Sequence, residues 1–305
     1  MPRGQVPTTG LVLVPTPLGN LGDVTIRAVA VLRAAGLVLC EDSRVTARLF
    51  SAYGISTRLL PLHDHNEDGR IAQVLAELAA GRLVALVSDA GTPLVSDPGF
   101  RLVRAAIAAG LPVSALPGPN AALLALTLSG LPPHPFLFVG FPPRAEAARR
   151  AAFTTLRAAE RAGLGATLVW YEAPHRLAET LRDLASVFGD RPAAVARELT
   201  KRFEEVRRAP LATLAGHYAE HAARGEITVV VGPPEGDAEE AADTLDERLA
   251  AALAETSLKE AVARVAAATG LPRREVYARA LAVSRKQGEG AALDPLGPEG
   301  PRPRN

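Results

Sequence analysis

The chain has 305 residues, 48% of them apolar, and its 34 Lys+Arg against 33 Asp+Glu leave a net charge of +1. That length suits two domains with a sizeable core, and the near-neutral balance gives none of the overall basic excess that many nucleic-acid binders carry. No apolar run is long enough to cross a bilayer, residues 1–10 lack the basic and apolar regions of a secretory signal, and a single cysteine, Cys40, excludes an internal disulfide and fits a cytoplasmic protein.

Residues 11–15 form an apolar, β-branched run that reads as a buried strand. A helix is predicted over 25–35, stopped by Gly36, and a second strand over 37–40. Ser43 opens a helix that ends near Gly54. Ile71, Val74, Leu75 and Leu78 keep amphipathic helical spacing up to Gly81, and residues 83–87 give a third strand. Asp97 followed by Pro98 reads as a capped helix start, with Leu102, Val103, Ala106 and Ile107 on the apolar face. A strand at 112–116 and a helix at 121–128 follow. This strand–helix repetition predicts an α/β domain with a largely parallel sheet over residues 11–130.

A second α/β domain is predicted over 131–232, with a mixed sheet. Its strands are at 136–141, 166–171, 193–197 and 226–231, with a helix over 174–188. Residues 233–243, rich in Pro, Gly and acid, read as a linker. Residues 244–286 read as a small C-terminal helical region that binds RNA or packs on the body, with Ser257 and Glu260 spaced as a capping box. The turn at Gly270 fits a helix-turn-helix or a plain helical hairpin. Residues 1–10 and 287–305 read as disordered ends.

Ligands of open parallel sheets bind beyond the carboxyl ends of the strands. Three turns there are unusual. Residues 15–23 combine two prolines and two glycines, without the G-x-G-x-x-G or Walker spacing; the plain alternative is a rigid turn with Asp23 as a helix cap. Residues 88–99 contain almost no large apolar group, and Asp89 stands at the end of the third strand, as a ligand acceptor or as a cap. Residues 116–121 make a third small-residue junction, with Asn120 as a cap. Polar clusters stand beside these turns at Glu41-Asp42-Ser43-Arg44, His63-Asp64-His65-Asn66, Tyr171-Glu172-Ala173-Pro174-His175-Arg176 and Arg197-Glu198-Leu199-Thr200-Lys201. His63 and His65 lack further ligands at a recognisable spacing, so no metal is expected. Ser43 lies in no G-x-S-x-G elbow.

Taken in order, these motifs resemble the ribosomal RNA small-subunit methyltransferase I family, within the tetrapyrrole methylase superfamily. The likeness runs from about residue 11 to 232 and weakly through the terminal helices. Ser43 stands where threonine is common, and Asn120 where a small residue or cysteine is often found. The resemblance implies S-adenosylmethionine as cofactor, held in a cleft between two α/β domains. Its contacts would be Pro15, Thr16, Pro17, Gly19, Asp89, Ala90, Gly91, Thr92, Pro93, Asn120 and Ala121 on the first domain, and Tyr171, Glu172 and Arg197 on the second. It also implies a homodimer that methylates the ribose 2′-oxygen of a decoding-centre cytidine in 16S rRNA, on the 30S subunit, with no membrane partner.

A ribose hydroxyl is a poor nucleophile, so a base or strong acceptor helps. Glu41, Asp42, His63 and Glu198 are candidates, with Lys201 as an electrostatic partner. Arg27, Arg44, His65, Asn66, His175 and Arg176 are the expected RNA contacts. A tetrapyrrole methylase would want a wide apolar trough, and a non-catalytic ribosome-assembly factor would not need intact cofactor turns. A nicotinamide oxidoreductase would show the missing glycine fingerprint.

Overall fold

The computed structural model describes residues 6–63, 67–234, 237–269 and 271–290. His65 and Asn66 lie outside the described residues, as do 1–5 and the tail from 291. The described chain forms two compact units, one holding both sheets and one holding the terminal helices.

The first sheet is parallel throughout. It contains β1 (Gly10–Leu13), β2 (Leu37–Cys40), β3 (Leu59–Pro61), β4 (Leu83–Leu86) and β5 (Val113–Ala115), in the order β3-β2-β4-β1-β5. Its central strands are apolar on both faces because both are covered. One face packs on α1 (Ile26–Ala34) and α2 (Ser43–Tyr53) through Val31, Leu32, Leu49 and Phe50. The other packs on α3 (Glu67–Ala79) and α4 (Phe100–Ala108) through Val74, Leu78, Leu102 and Ala106.

Two helix starts differ from the expected caps, and a third, α2, opens at Ser43 as expected. Thr25, not Asp23, caps α1, its hydroxyl accepting from the Ala28 N–H at 3.0 Å. Asp42 caps α2, one residue before Ser43. Gly99 occupies the N-cap of α4 with φ +116 and no side-chain bond, so Asp97 is not a cap. The left-handed turn at Gly99 aims the chain into α4 two residues later than the Asp-Pro pattern implies.

The last helix of this half, α5 (Ala121–Ser129), packs Ala122, Ala125 and Leu126 against the second sheet. That sheet is mixed, as expected. It contains β6 (Phe136–Gly140), β7 (Thr167–Glu172), β8 (Pro192–Arg197), β9 (Glu205–Pro210) and β10 (Ile227–Val231), in the order β6-β7-β10-β8-β9. Only β6 and β7 run parallel; the other neighbours are antiparallel. Its far face carries α6 (Glu146–Arg161), α7 (Leu177–Phe188) and α8 (Leu211–Glu220) over a core of Phe153, Leu168, Trp170, Leu181 and Phe188.

The second unit contains α9 (Asp237–Glu255), α10 (Leu258–Thr269) and α11 (Arg273–Gly290), joined by Leu249, Ala252, Val265, Val276 and Ala280. The capping box is present: Glu260 Oε2 accepts from the Ser257 hydroxyl at 2.8 Å and from its N–H at 3.3 Å. Helix α9 begins inside the expected linker, because the Ala/Glu run after Gly236 favours helix over coil. Likewise α11 continues to Gly290, past the expected start of the tail.

Candidate functional site

The loops after β4 and β1 in the first sheet face the carboxyl end of β7 and the start of β10 in the second across a cleft of about 390 Å³. That volume lies in the range of small-molecule sites, roughly 300–1,000 Å³. The floor is the loop after β4. Its path is fixed by backbone exchange between Thr16 and Gly91, each N–H donating to the other's carbonyl at 2.9 and 3.0 Å. The Thr16 hydroxyl also donates to the Ser88 carbonyl, and Ser88 Oγ to the Gly91 carbonyl. Thr92 Oγ1 donates to the Pro119 carbonyl and accepts from the Asn120 amide. The three small-residue turns therefore support one another as a single floor.

Of the residues expected to hold a cofactor, Asp89, Ala90, Gly91, Thr92 and Ala121 line the cleft on this side, and Tyr171 and Glu172 on the other. Pro15, Thr16, Pro17 and Pro93 are not on its wall; Thr16 supports the floor from behind. Asn120 lines a neighbouring depression with Leu18, Thr25 and Thr200, and caps α5. Gly19 is placed under Lys201: a Cβ there would stand 2.5 Å from Lys201 Cε. Arg197 is held by Glu205 at 2.6 Å and turns away to β9. Sequence reasoning missed Leu18, Asp97, Phe141, Leu199, Gly225 and Thr228, all on the cleft wall.

The acids in and beside the cleft differ in state. Asp89 Oδ1 accepts the Asp42 N–H at 2.9 Å, yet burial raises its pKa above the usual carboxylate value. Asp42 is tied to Arg44 at 2.6 Å, and that hydrogen bond lowers it to about 2. Glu198 accepts from Lys201 Nζ at 2.9 Å and from the Glu226 N–H at 3.0 Å; the lysine bond lowers its pKa. Lys201 also reaches Glu226 at 3.2 Å, and its pKa is raised by these partners against the opposing effect of burial. Glu172 is buried in structural bonds, to Thr180 at 2.5 Å, to the Ala173 N–H at 2.7 Å and to Arg176. Tyr171 is pushed up by burial, its ring edge-on to Phe138 and Phe141. Glu41 and His63 are exposed beside the β2 and β3 ends.

Among the expected RNA contacts, Arg27 and His175 are exposed, and Arg44 is 85% exposed although paired with Asp42. Arg176 is not available in the same way: it is mostly buried, paired with Glu172, and donates to the Pro142 carbonyl.

The family model "Tetrapyrrole (Corrin/Porphyrin) Methylases" matches residues 10–215, and "RsmI C-terminal HTH domain" matches 238–284. A protein named ribosomal RNA small subunit methyltransferase I from Micromonospora olivasterospora is 51% identical over 91% of this chain and 88% of its own length. One of the same name from Mesorhizobium japonicum is 46% identical over 92% and 94%. The chain belongs to the ribosomal RNA small subunit methyltransferase I family, within the tetrapyrrole methylases. A solved diphthine synthase shares the fold at a TM-score of 0.57 and 16% identity, covering 73% of this chain and 89% of that one. Among the described residues, no helix of this family member is long and apolar enough to cross a membrane.

Asp89→Ala tests the floor. Loss of a carboxylate contact to a bound cation costs about 1–3 kcal/mol of affinity, so the change asks whether Asp89 makes one. Calorimetry with S-adenosylmethionine is therefore expected to show weaker binding; unchanged affinity would reduce Asp89 to a holder of the Asp42 N–H.

Proposed function

We propose that this chain methylates the ribose 2′-oxygen of a decoding-centre cytidine in 16S rRNA, within the assembled 30S subunit, using S-adenosylmethionine. The observation that carries the reading is the cleft itself: a small-molecule volume between two sheets, floored by tied turns and lined by Asp89 and Asp97. The name borne by the relatives supplies the substrate class.

When bound, S-adenosylmethionine supplies an electrophilic methyl on a cationic sulfonium. The residues present fit such a group. Carboxylates in a partly desolvated cleft favour a cation, Tyr171 gives a flat aromatic wall, and Ala90, Gly91, Ala121 and Ala196 leave room for close approach. Holding donor and acceptor in line supplies roughly 7–11 kcal/mol of the barrier. The protein's own task is thus alignment, exclusion of water and acceptance of the hydroxyl proton.

On the RNA side, Arg27 and Arg44 are the surface cations for phosphate contact, with His175 as an exposed ring. Arg273 and Arg274 are exposed on the terminal helices, whereas Arg264 and Arg279 are paired with Glu255 and Asp246. With near-zero net charge, recognition rests on shape rather than on dense phosphate neutralisation. The homodimer implied by the resemblance belongs to the same reading.

Tritium transfer from labelled cofactor to 30S subunits, naked 16S rRNA and a porphyrinoid, run in parallel, tests it. Label is expected in 30S rRNA, at a ribose, with little in naked RNA. Label in the porphyrinoid alone would establish a small-molecule methylase instead, and efficient labelling of a short oligonucleotide would replace shape readout by local sequence readout.

A further inference from the structure

Asp97 stands where its sequence pattern conceals it. Because Gly99 takes the N-cap of α4, the Asp97 carboxyl is free of that role and lines the cleft. Leu94 and Ser96, just before it, both hold left-handed backbone at φ 71. Non-glycine residues keep such conformations only where the surroundings over-determine them, and these cluster at functional sites.

The groups acting on Asp97 are Ser88 and Asp89 after β4 and Glu41 after β2; Tyr171 on β7 feels its charge, and Glu226, before β10, lines the same cleft and acts on Tyr171. Arg44, which acts on Asp89, is itself paired with Asp42. Burial, then the like charges of Glu41 and Asp89, push Asp97 up to about 7. Proton acceptors work best when their pKa lies near the working pH. Asp42 at about 2, and Glu198, lowered by Lys201, are weaker bases.

We propose that Asp97 is the acceptor of the proton released by the hydroxyl that is methylated. This rests on the functional reading above. The hydroxyl oxygen forms its bond to the methyl carbon, and the carbon–sulfur bond breaks with its electron pair kept by sulfur. The hydroxyl proton passes to the Asp97 carboxylate and later to water. One cation and one carboxylate become a neutral thioether and a carboxylic acid, so charge balances.

The test combines a rate with a spectrum. Below its pKa, Asp97 already carries a proton and cannot accept another. Single-turnover methylation of 30S subunits by the native protein is therefore expected to rise with pH and then level off, with its inflection below the value of about 7 of the unliganded carboxyl, because the bound sulfonium favours the carboxylate. Asp97→Asn is expected to lower the plateau by about 100-fold or more and to abolish the inflection, while Asp97→Glu restores part of both. Binding of the demethylated cofactor and a native melting curve check that the variants fold. Independently, infrared titration of the unliganded native protein is expected to show a carboxyl C=O band lost near neutral pH and missing in Asp97→Asn.

A native rate and pH profile in Asp97→Asn would overturn the proposal. So would weakened binding of the sulfonium cofactor, but not of its demethylated product, with an unchanged rate at saturation, since Asp97 would then be a counter-charge only. Failure of the native protein to methylate any RNA would remove the functional reading instead. In that case the infrared titration still decides about Asp97, because absence of a neutral-range carboxyl band overturns the proposal by itself.

Discussion

Gly225→Ala is expected to weaken S-adenosylmethionine binding by about one to two decades, each decade being ~1.4 kcal/mol, with a smaller loss of stability. Gly225 lies on the cleft wall with φ +83, in the left-handed region where a side chain costs about 1–2 kcal/mol. A Cβ there would stand 2.2 Å from Glu198 Oε1 and 2.5 Å from Glu198 Cγ. The glutamate cannot step aside cheaply. Its carboxylate holds the Glu226 N–H and Lys201, and its own backbone is left-handed at φ 51. The substitution thus displaces Glu198, releases Lys201 from its place over Gly19, and moves the Glu226–Thr228 wall. Calorimetry beside a thermal melt checks this. Native affinity in a folded Gly225→Ala protein would mean that this wall plays no part in holding the ligand.

Asp183→Ala is expected to cost about 3–5 kcal/mol of stability, the usual effect of leaving a buried charge without its partner. Arg149 on α6 is 2% exposed, and both its Nε and Nη2 meet Asp183 Oδ2 on α7 at 2.7 Å. Its Nη1 donates to the Arg144 carbonyl at 3.2 Å. Glu179 stands 3.9 Å away but is 61% exposed, so it compensates little. A double change, Arg149→Met with Asp183→Leu, removes both charges and is expected to recover most of the loss. Urea denaturation of the three proteins decides. Equal destabilisation by the single and double changes would show that the pair contributes through packing rather than charge.

Four of the five strands of the first sheet were legible, the central ones as apolar runs closed by turn residues, and the period of the intervening helices is regular; the edge strand β3, only Leu59–Pro61, was missed because three residues are too short to show a period. The second half was less so, for identifiable reasons. Strand β9 is an edge strand whose Glu205, Arg207 and Arg208 carry charge along its length and whose last residue is Pro210. Such a segment gives no apolar alternation. Helix α6 hides its buried Phe153 among alanines and arginines, and one of those arginines is itself buried. Helix α8 does carry a signal, in the helical spacing of Leu211, Leu214, Ala215 and Tyr218.

At the site, the turns that stand directly after β1 and β4 were readable as small-residue loops, and Asp89 was found by its place at a strand end. Asp97 was not, because Asp-Pro before an apolar stripe is the ordinary signature of a helix start. Only the left-handed turn at Gly99 separates the two meanings. Gly225 and Thr228 come to the cleft from a segment distant in sequence, and nothing local marks them, whereas Leu199 sits unremarked as the one apolar residue of the Arg197–Lys201 cluster. The long polar motifs also mix two kinds of residue. In Tyr171-Glu172-Ala173-Pro174-His175-Arg176 the first four residues line the cleft, yet the Glu172 carboxylate is already taken by Arg176, which itself lies off that wall. A motif alone does not sort ligand contacts from the bonds that brace them.

The pairing of β1 has a consequence for synthesis. Its two neighbours are β4, through Gly10 with Leu83, and β5, through Leu11 with Val113. Neither exists when β1 leaves the ribosomal tunnel. At roughly 5–20 residues per second, Leu11, Val12 and Leu13 wait on the order of several seconds for β4, with both ladder edges unpaired. During that interval the nascent chain presents a short apolar strand with free backbone donors and acceptors, the kind of segment that pairs with another chain. Helices α1 and α2 emerge before β4 and can cover one face of β1 through the Val31, Leu32 and Phe50 layer, but not its edges. The parallel order of this sheet therefore makes the amino-terminal strand the part of the molecule most dependent on nascent-chain protection, and places the closing of the first sheet at the arrival of residues 83–86.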